Sequence, residues 1–240
     1  MKKYKIIYGN FISNELNLYY RSQILYNYYK SQDKIGGLKM NDKILLAEKS
    51  LKRNGFQVKV FDNKEEAKKA LIESISIDES IAFGGSMTLS QLEIYEDFKK
   101  RGNEIYWHWK GEDRKKELKE AYNSKIYVTS TNALTLDGKL VNMDGTANRV
   151  SSMFYGHDRV YIIVGRNKIC KDYDDARERI KNIAAPKNAQ RLNINTPCKY
   201  TGKCSDCNSP DRICNVEVII HRNPSGANIN IYLIDEDLGY

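Results

Sequence analysis

The sequence predicts an α/β protein: a mainly parallel, layered sheet with helices on both faces, closed by a cysteine loop and a C-terminal hairpin. Three observations carry this. From Met40 onward, short apolar runs alternate with stretches of helical period, the pattern of strand–helix–strand units. Runs such as Ile126-Tyr127-Val128 and Val160 to Val164 are apolar throughout, as strands covered on both faces must be. The first of these runs then turns polar, through Thr129, Ser130, Thr131 and Asn132, which is how such a sheet presents hydrogen-bonding groups at its carboxyl edge.

Taken in order, a helix over 41–54 is expected from the cap residue Asn41 and from Ile44, Leu45 and Leu51, with Gly55 ending it. Strand 56–61 follows, then helix 64–75, opened by Asn63 with Glu66 in the capping-box position. Strand 80–83, helix 88–101, strand 104–108 and the charged helix 112–122 come next. Leu134 to Leu136 and Leu140-Val141 flank Asp137-Gly138, which predicts a tight hairpin. A short amphipathic helix leads to the strand ending at Val164. Helices over 172–184 and near 187–191 precede the cysteines. Strands 216–221 and 229–234, joined through Asn223-Pro224-Ser225-Gly226, are expected to pair as a hairpin antiparallel to the rest.

Composition bounds the function. The chain has 240 residues, 41% of them apolar, enough for one sizeable core. No apolar run approaches the ~20 residues that span a bilayer, and the first twenty residues lack a signal peptide's apolar core. A reducing, cytoplasmic setting follows, in which five cysteines are not a disulfide framework. The net charge of +8 is unevenly spread: residues 1–39 hold seven basic and two acidic side chains, leaving only +3 for the rest. That argues against a nucleic-acid partner, which needs a basic face on the folded domain, and suits a small anionic metabolite. The same 39 residues hold seven of the seventeen tyrosines and no clear period. They are expected to be an extension, such as an upstream start would add, with the domain running over 40–240.

Chemistry concentrates in three places. Phe83-Gly84-Gly85-Ser86-Met87-Thr88 follows a buried strand and precedes a helix, so freed amides and two hydroxyls gather at one mouth. It lacks the lysine of a P-loop and the third glycine of a dinucleotide fingerprint. Between the two central strands lie Asn132, Asn142, Asp144, Asn148 and Arg149, more amides and charges than turns require. Arg149 in the first turn of a helix opposes the dipole unless an anion is near. Trp107-His108-Trp109 reads first as packing at a domain edge. His157 and His221 have no companion at catalytic spacing, so surface roles are expected, and no Ser-His-Asp or zinc-protease pattern supports hydrolysis by those routes.

The third place is Cys198, Cys204, Cys207 and Cys214, spaced C-x5-C-x2-C-x6-C within seventeen residues that also hold Gly202, Asn208 and Pro210. Four thiols so close in a reducing setting point to zinc or an iron–sulfur centre. Only one pair has the C-x2-C spacing that zinc knuckles favour, which puts a four-iron cluster ahead. Lys199, Lys203 and Arg212 would offset the thiolate charge. Cys170 is expected to be an ordinary buried residue.

The combination of GGS-x-T after a strand, STNALT-x-DG-x-LVN-x-DG-x-x-NRV, VGRNKI, ERIKNIAAP with NA-x-RL, and TPC-x-x-TGKC-x-DC-x-SPDRICN resembles the LUD (lactate-utilisation) domain family. The likeness runs from about Met40 to the terminal EDLGY. It implies the NagB/RpiA/CoA-transferase-like fold, whose members bind sugar phosphates or CoA esters at the strand ends. Carried across, Gly84, Gly85, Ser86 and Thr88 would hold an anionic group, and Asn132, Asp137, Asn142, Asp144, Asn148 and Arg149 would face the ligand. Asp144 would be the candidate general base. The function implied is an accessory or redox component of lactate-type organic-acid utilisation, working with iron–sulfur oxidoreductase subunits. The alternatives are an isomerase or transferase of a small phosphorylated or CoA-linked metabolite, and a non-catalytic ligand sensor.

Overall fold

A computed structural model describes Ile24, Asn27 and residues 37–240. The expected extension over 1–39 lies almost wholly outside the described residues. The first helix, α1 (Met40–Arg53), starts one residue before Asn41. Lys39 occupies the cap and makes no side-chain cap bond, so Asn41 does not cap the helix. β1 (Gln57–Phe61) and α2 (Lys64–Ser74) follow, and the Asn63 side chain accepts from Glu66 N–H as the capping pattern requires. Next come β2 (Ile81–Phe83), α3 (Met87–Leu92), α4 (Ile94–Arg101), β3 (Ile105–Tyr106), α5 (Arg114–Asn123) and β4 (Ile126–Thr129).

The expected single helix over 88–101 is broken at Glu93, which adopts a left-handed φ of 57°. Leu89, Leu92, Ile94 and Phe98 are all buried. A two-residue step from 92 to 94 cannot keep both on one helical stripe, and the break turns Ile94 inward.

Among the described residues, six strands form the main sheet, all parallel, in the order β1-β10-β7-β4-β2-β3, where β7 is Arg159–Gly165 and β10 is Ile229–Ile234. A second, smaller sheet has the order β8-β5-β6-β9: β5 (Ala133–Thr135), β6 (Leu140–Asp144), β8 (Ile169–Cys170) and β9 (Val216–Ile220). The Asp137-Gly138 hairpin joins β5 and β6 as expected, with Gly138 at φ +82°.

The expected C-terminal hairpin does not form. β9 runs antiparallel to β6 in the small sheet, while β10 inserts between β1 and β7. Side-chain pattern explains the split. β10 is apolar on both faces and suits a sheet centre, whereas β9 leaves Glu217 exposed and sits at an edge. The turn residues 223–226 only carry the chain from one sheet to the other.

Strand period two sorts the core. Val160, Ile162 and Val164 with Ile231 and Leu233 pack against α1 and the inner side of the small sheet. Tyr161, Ile163, Tyr232 and Ile234 point the other way, onto α2, α3 and α4. Helices therefore cover one face, and α1 with the small sheet covers the other. The small sheet's outer side buries Ala133 and Val141 beneath Ala176 of α7 (Tyr173–Arg179). The helices expected at 172–184 and 187–191 are one run: α7, a π-helical turn (Ile180–Ala184) and α8 (Ala185–Leu192). Among the described residues, no helix is long and apolar enough to cross a membrane.

Topology locates the ligand crevice. From β2 the chain goes outward to β3, while β4 lies on β2's other side, so the winding reverses there. Open parallel sheets bind ligands beyond the carboxyl ends of the strands at such a reversal. Here those ends carry Gly84 to Thr88, Ser130 to Asn132 and, after β7, Lys168.

Candidate functional site

A cavity of about 720 Å³ opens beyond that edge, within the ~300–1,000 Å³ usual for small-molecule sites. The structure brings Gly85, Ser86, Asn132, Asp144, Asn148 and Arg149 together on its walls. The glycines serve close approach. A Cβ on Gly85 would come within 2.9 Å of the Trp109 ring, and one on Gly84 would strike Thr129 and Tyr127 of β4. Ser86 caps α3, accepting from Leu89 N–H at 3.4 Å, although a six-residue helix contributes only a weak dipole. Thr88 is fully buried and lies behind the wall. Asn148 accepts from the Thr146 hydroxyl.

Arg149 sits in α6 (Asn148–Ser151), and its five N–H groups are all used inside the protein. Nε donates to Asp144 Oδ2 at 3.1 Å. Nη1 donates to Asn142 Oδ1 at 2.9 Å and to the Ser130 carbonyl at 3.2 Å. Nη2 donates to Asn132 Oδ1 at 2.9 Å and to the Met143 carbonyl at 3.0 Å. The anion that excuses a cation at this helix start is thus Asp144. Asp144 Oδ1 also accepts from Thr146 N–H at 3.1 Å and Ala147 N–H at 3.0 Å. Three of a carboxylate's roughly four acceptor sites are therefore occupied. Asp144 thus spends most of its carboxylate on Arg149 and the turn behind it, and keeps one acceptor site open on the cavity wall. Asn142 is fully buried behind this clamp and does not line the cavity, and its Nδ2 has no partner among the described residues.

Asp137 does not face the ligand region. It lies in the β5–β6 turn, where its carboxylate accepts from the Thr135 hydroxyl and pairs with Lys139 at 2.7 Å. Asn54, the C-terminal cap of α1, secures its carbonyl at 3.0 Å. Turn formation explains it fully.

Sequence reasoning missed Lys168. It is 3% exposed, yet it reaches the cavity wall. Its amine donates to Thr88 Oγ1 at 2.7 Å, Ser130 Oγ at 2.8 Å and the Thr131 carbonyl at 3.1 Å. No carboxylate bonds it among the described residues. Burial, followed by the charges of Arg179 and Arg149, holds this amine well below the usual lysine range. The available signal was a lysine just past the carboxyl end of an all-apolar strand. Arg179 is buried as well, gripping the Asn167 carbonyl at 2.9 Å and the Asn132 carbonyl at 2.6 Å.

The outer wall is aromatic and basic. Trp107 belongs to the core as expected, stacked on Trp109 at 5.6 Å, but His108 and Trp109 line the cavity. Arg191 lies 4.2 Å over the Trp109 ring and donates to Tyr240 Oη at 3.0 Å. Arg114 adds a further cation. Burial and then Arg114 push the His108 imidazole below its ordinary value. His221 is exposed as expected, while His157 is half-buried, stacked on Tyr127 and bonded to the Ser124 carbonyl at 2.7 Å.

Cys198, Cys204, Cys207 and Cys214 line one smaller cavity of about 130 Å³ with Arg212. Among the described residues, no three His, Cys, Asp or Glu side chains converge closely enough to hold a single metal ion. The four cysteines on this wall are thiols, the donor type that zinc and iron–sulfur centres both take. Burial and then the neighbouring thiols push Cys214 up to about 11. Arg212 braces the loop through the Cys207 and Cys214 carbonyls, both at 2.8 Å. Cys170 is buried, its thiol pushed up to about 12 by burial, as suits a core residue.

No curated protein matches this sequence. Among solved structures, a DUF162 family protein from Deinococcus radiodurans is similar over 82% of this chain and 99% of its own, with 10% identity and a TM-score of 0.48. A model of the LUD domain matches residues 44–234, from the first helix to the last strand. The chain belongs to the LUD domain family.

Proposed function

We propose that this LUD-domain protein binds a small anionic organic acid in the large cavity and serves as a redox-linked component of lactate-type organic-acid utilisation. In this reading the four clustered cysteines hold a four-iron cluster, and iron–sulfur oxidoreductase subunits are the partners that exchange electrons with it. One observation carries the proposal: Met143, Ile180, Ala185, Ile213 and Cys214 line both cavities, so a ligand and a thiol-bound group would share one wall. The π-helical turn that supplies Ile180 belongs to a class of distortion frequent at functional sites. Arg114 and Arg191 favour a carboxylate, and the all-thiol donor set favours a soft metal or cluster.

The test is anaerobic purification with iron, sulfide and zinc analysis, followed by calorimetry with L-lactate, pyruvate and ribose 5-phosphate. A brown protein containing iron and sulfide that binds lactate or pyruvate is the expected result. A colourless zinc protein would overturn the redox role, and the absence of any anion binding would overturn the ligand. The volume of about 720 Å³ supports a second reading, an enzyme of a larger phosphorylated or CoA-linked metabolite. Preference for ribose 5-phosphate would favour it.

A further inference from the structure

We propose that Ser130 and Lys168 form a nucleophile–base pair for acyl transfer, acting on a small ester or thioester that carries negative charge. Both residues line the large cavity, and Ser130 Oγ stands 2.8 Å from Lys168 Nζ. Thr88 and the Thr131 carbonyl fix the amine from two other directions, at 2.7 and 3.1 Å. A hydroxyl within reach of a base that is itself held by third groups is the arrangement that activates a nucleophile.

Hydrogen placement follows from the partners. The Thr131 carbonyl only accepts. Thr88 Oγ1 gives its hydrogen to the Leu238 carbonyl at 3.2 Å, so it accepts from the amine. A neutral amine has two hydrogens, and these acceptors take both. With its third hydrogen on Nζ the amine donates to Ser130 Oγ, whose own hydrogen reaches Thr88 Oγ1 or the Thr131 carbonyl, each at 3.4 Å; once that third hydrogen is lost, the lone pair of Nζ faces the Ser130 hydroxyl. Burial, followed by the charges of Arg179 and Arg149, favours loss of the amine's third hydrogen, and no carboxylate bonds it among the described residues.

The chemistry balances without an oxidant or reductant. The Ser130 oxygen attacks the acyl carbon as its proton passes to Lys168 Nζ. The carbonyl electron pair moves to oxygen and then returns, expelling an alcohol or thiol that takes the proton from Nζ. Water attacks the resulting ester, gives a proton to Nζ and releases the acid, and Ser130 recovers its hydrogen. Asn132 lines the cavity two residues on, and its Nδ2 has no partner among the described residues, so it is the donor available to the carbonyl oxygen. Arg114 and Arg191 supply the attraction for negative charge.

This inference rests on the cavity being an anion site and is independent of the thiol pocket. The full-length protein is treated with a fluorophosphonate at neutral pH and mapped by peptide mass spectrometry. Ser130 should carry the phosphonyl group, with fluoride displaced. Lys168→Met should slow labelling by about 10²–10⁴-fold, the range of general-base assistance. Lys168→Arg, which puts a permanent charge there and no base, should slow it equally and serves if the methionine variant does not fold. An unlabelled Ser130 in the native protein overturns the pair, as does equal labelling of a folded lysine variant. Lactate or pyruvate binding with Ser130 unlabelled would sink the pair alone. Labelling at Ser130 without anion binding would sink the anion reading alone.

Discussion

Two buried basic side chains stand on the same cavity wall and are treated in opposite ways. Arg149 has an ion-pair partner and four further acceptors, using every donor it owns. Lys168 has three oxygens, none of them a carboxylate. A guanidinium stays charged at any ordinary pH, so its burial is tolerable only when fully paired. An ammonium can shed its proton and needs no anion. The first arrangement makes scaffold, tying the ends of β4, β5 and β6 into one node. The second leaves an amine that can lose its proton without stranding a buried anion.

The sharpest way to break this contrast is to replace each basic side chain with an apolar one of similar reach. Arg149→Met strips Asp144 of its buried counter-charge and leaves the Asn132, Asn142 and backbone acceptors unpaired. Breaking a buried pair in this way costs about 3–5 kcal/mol, which urea unfolding will read directly. A loss below about 1 kcal/mol would mean that the node does not hold the strands together.

Lys168→Met should behave differently, and its sign depends on pH. Because the folded-state value lies well below the ordinary 10.5, the unfolded chain binds more protons between the two values. Stability of the natural protein therefore rises with pH through that window, by up to about 1.4 kcal/mol per unit for one proton. Below the window's lower end the slope vanishes. The methionine variant lacks this slope, so it gains most over the natural protein at the acid end and least as pH approaches 10.5. Parallel curves of unfolding free energy against pH would show that Lys168 keeps its proton when buried.

The sequence exposed the strands, the GGS turn and the central polar segment, because these depend on local pattern: apolar runs, glycine pairs and turn residues. Ser86 and Asn148 do meet at one cavity, although Ser86 follows β2 of the main sheet and Asn148 follows β6 of the small one. What the sequence hid depends on partners distant in the chain. Asn142 and Arg149 looked like ligand groups because their satisfaction comes from each other and from Asp144, Asn132 and Ser130. Asp137 looked like one although its turn accounts for it. Lys168 looked like ordinary charge after a strand, because Thr88 approaches it from 80 residues away. The C-terminal strands separated into two sheets because a turn's composition does not say which sheet receives the next strand.

The smallest effect concerns how tightly the Arg149 node is forced into place. Ala147, the residue before α6, holds φ at +64°, a left-handed conformation that costs a residue with a Cβ roughly 1–2 kcal/mol. Its N–H is committed to Asp144 Oδ1 at 3.0 Å, so the chain accepts the strain to complete the carboxylate's shell. Ala147→Gly removes that steric cost and returns part of it as greater freedom of the unfolded chain. A net gain of about 0.5–1 kcal/mol in urea unfolding is expected, with anion affinity in calorimetry unchanged. If the glycine variant is instead less stable, the left-handed turn is relaxed, and Asp144 is held by Arg149 rather than by its own backbone.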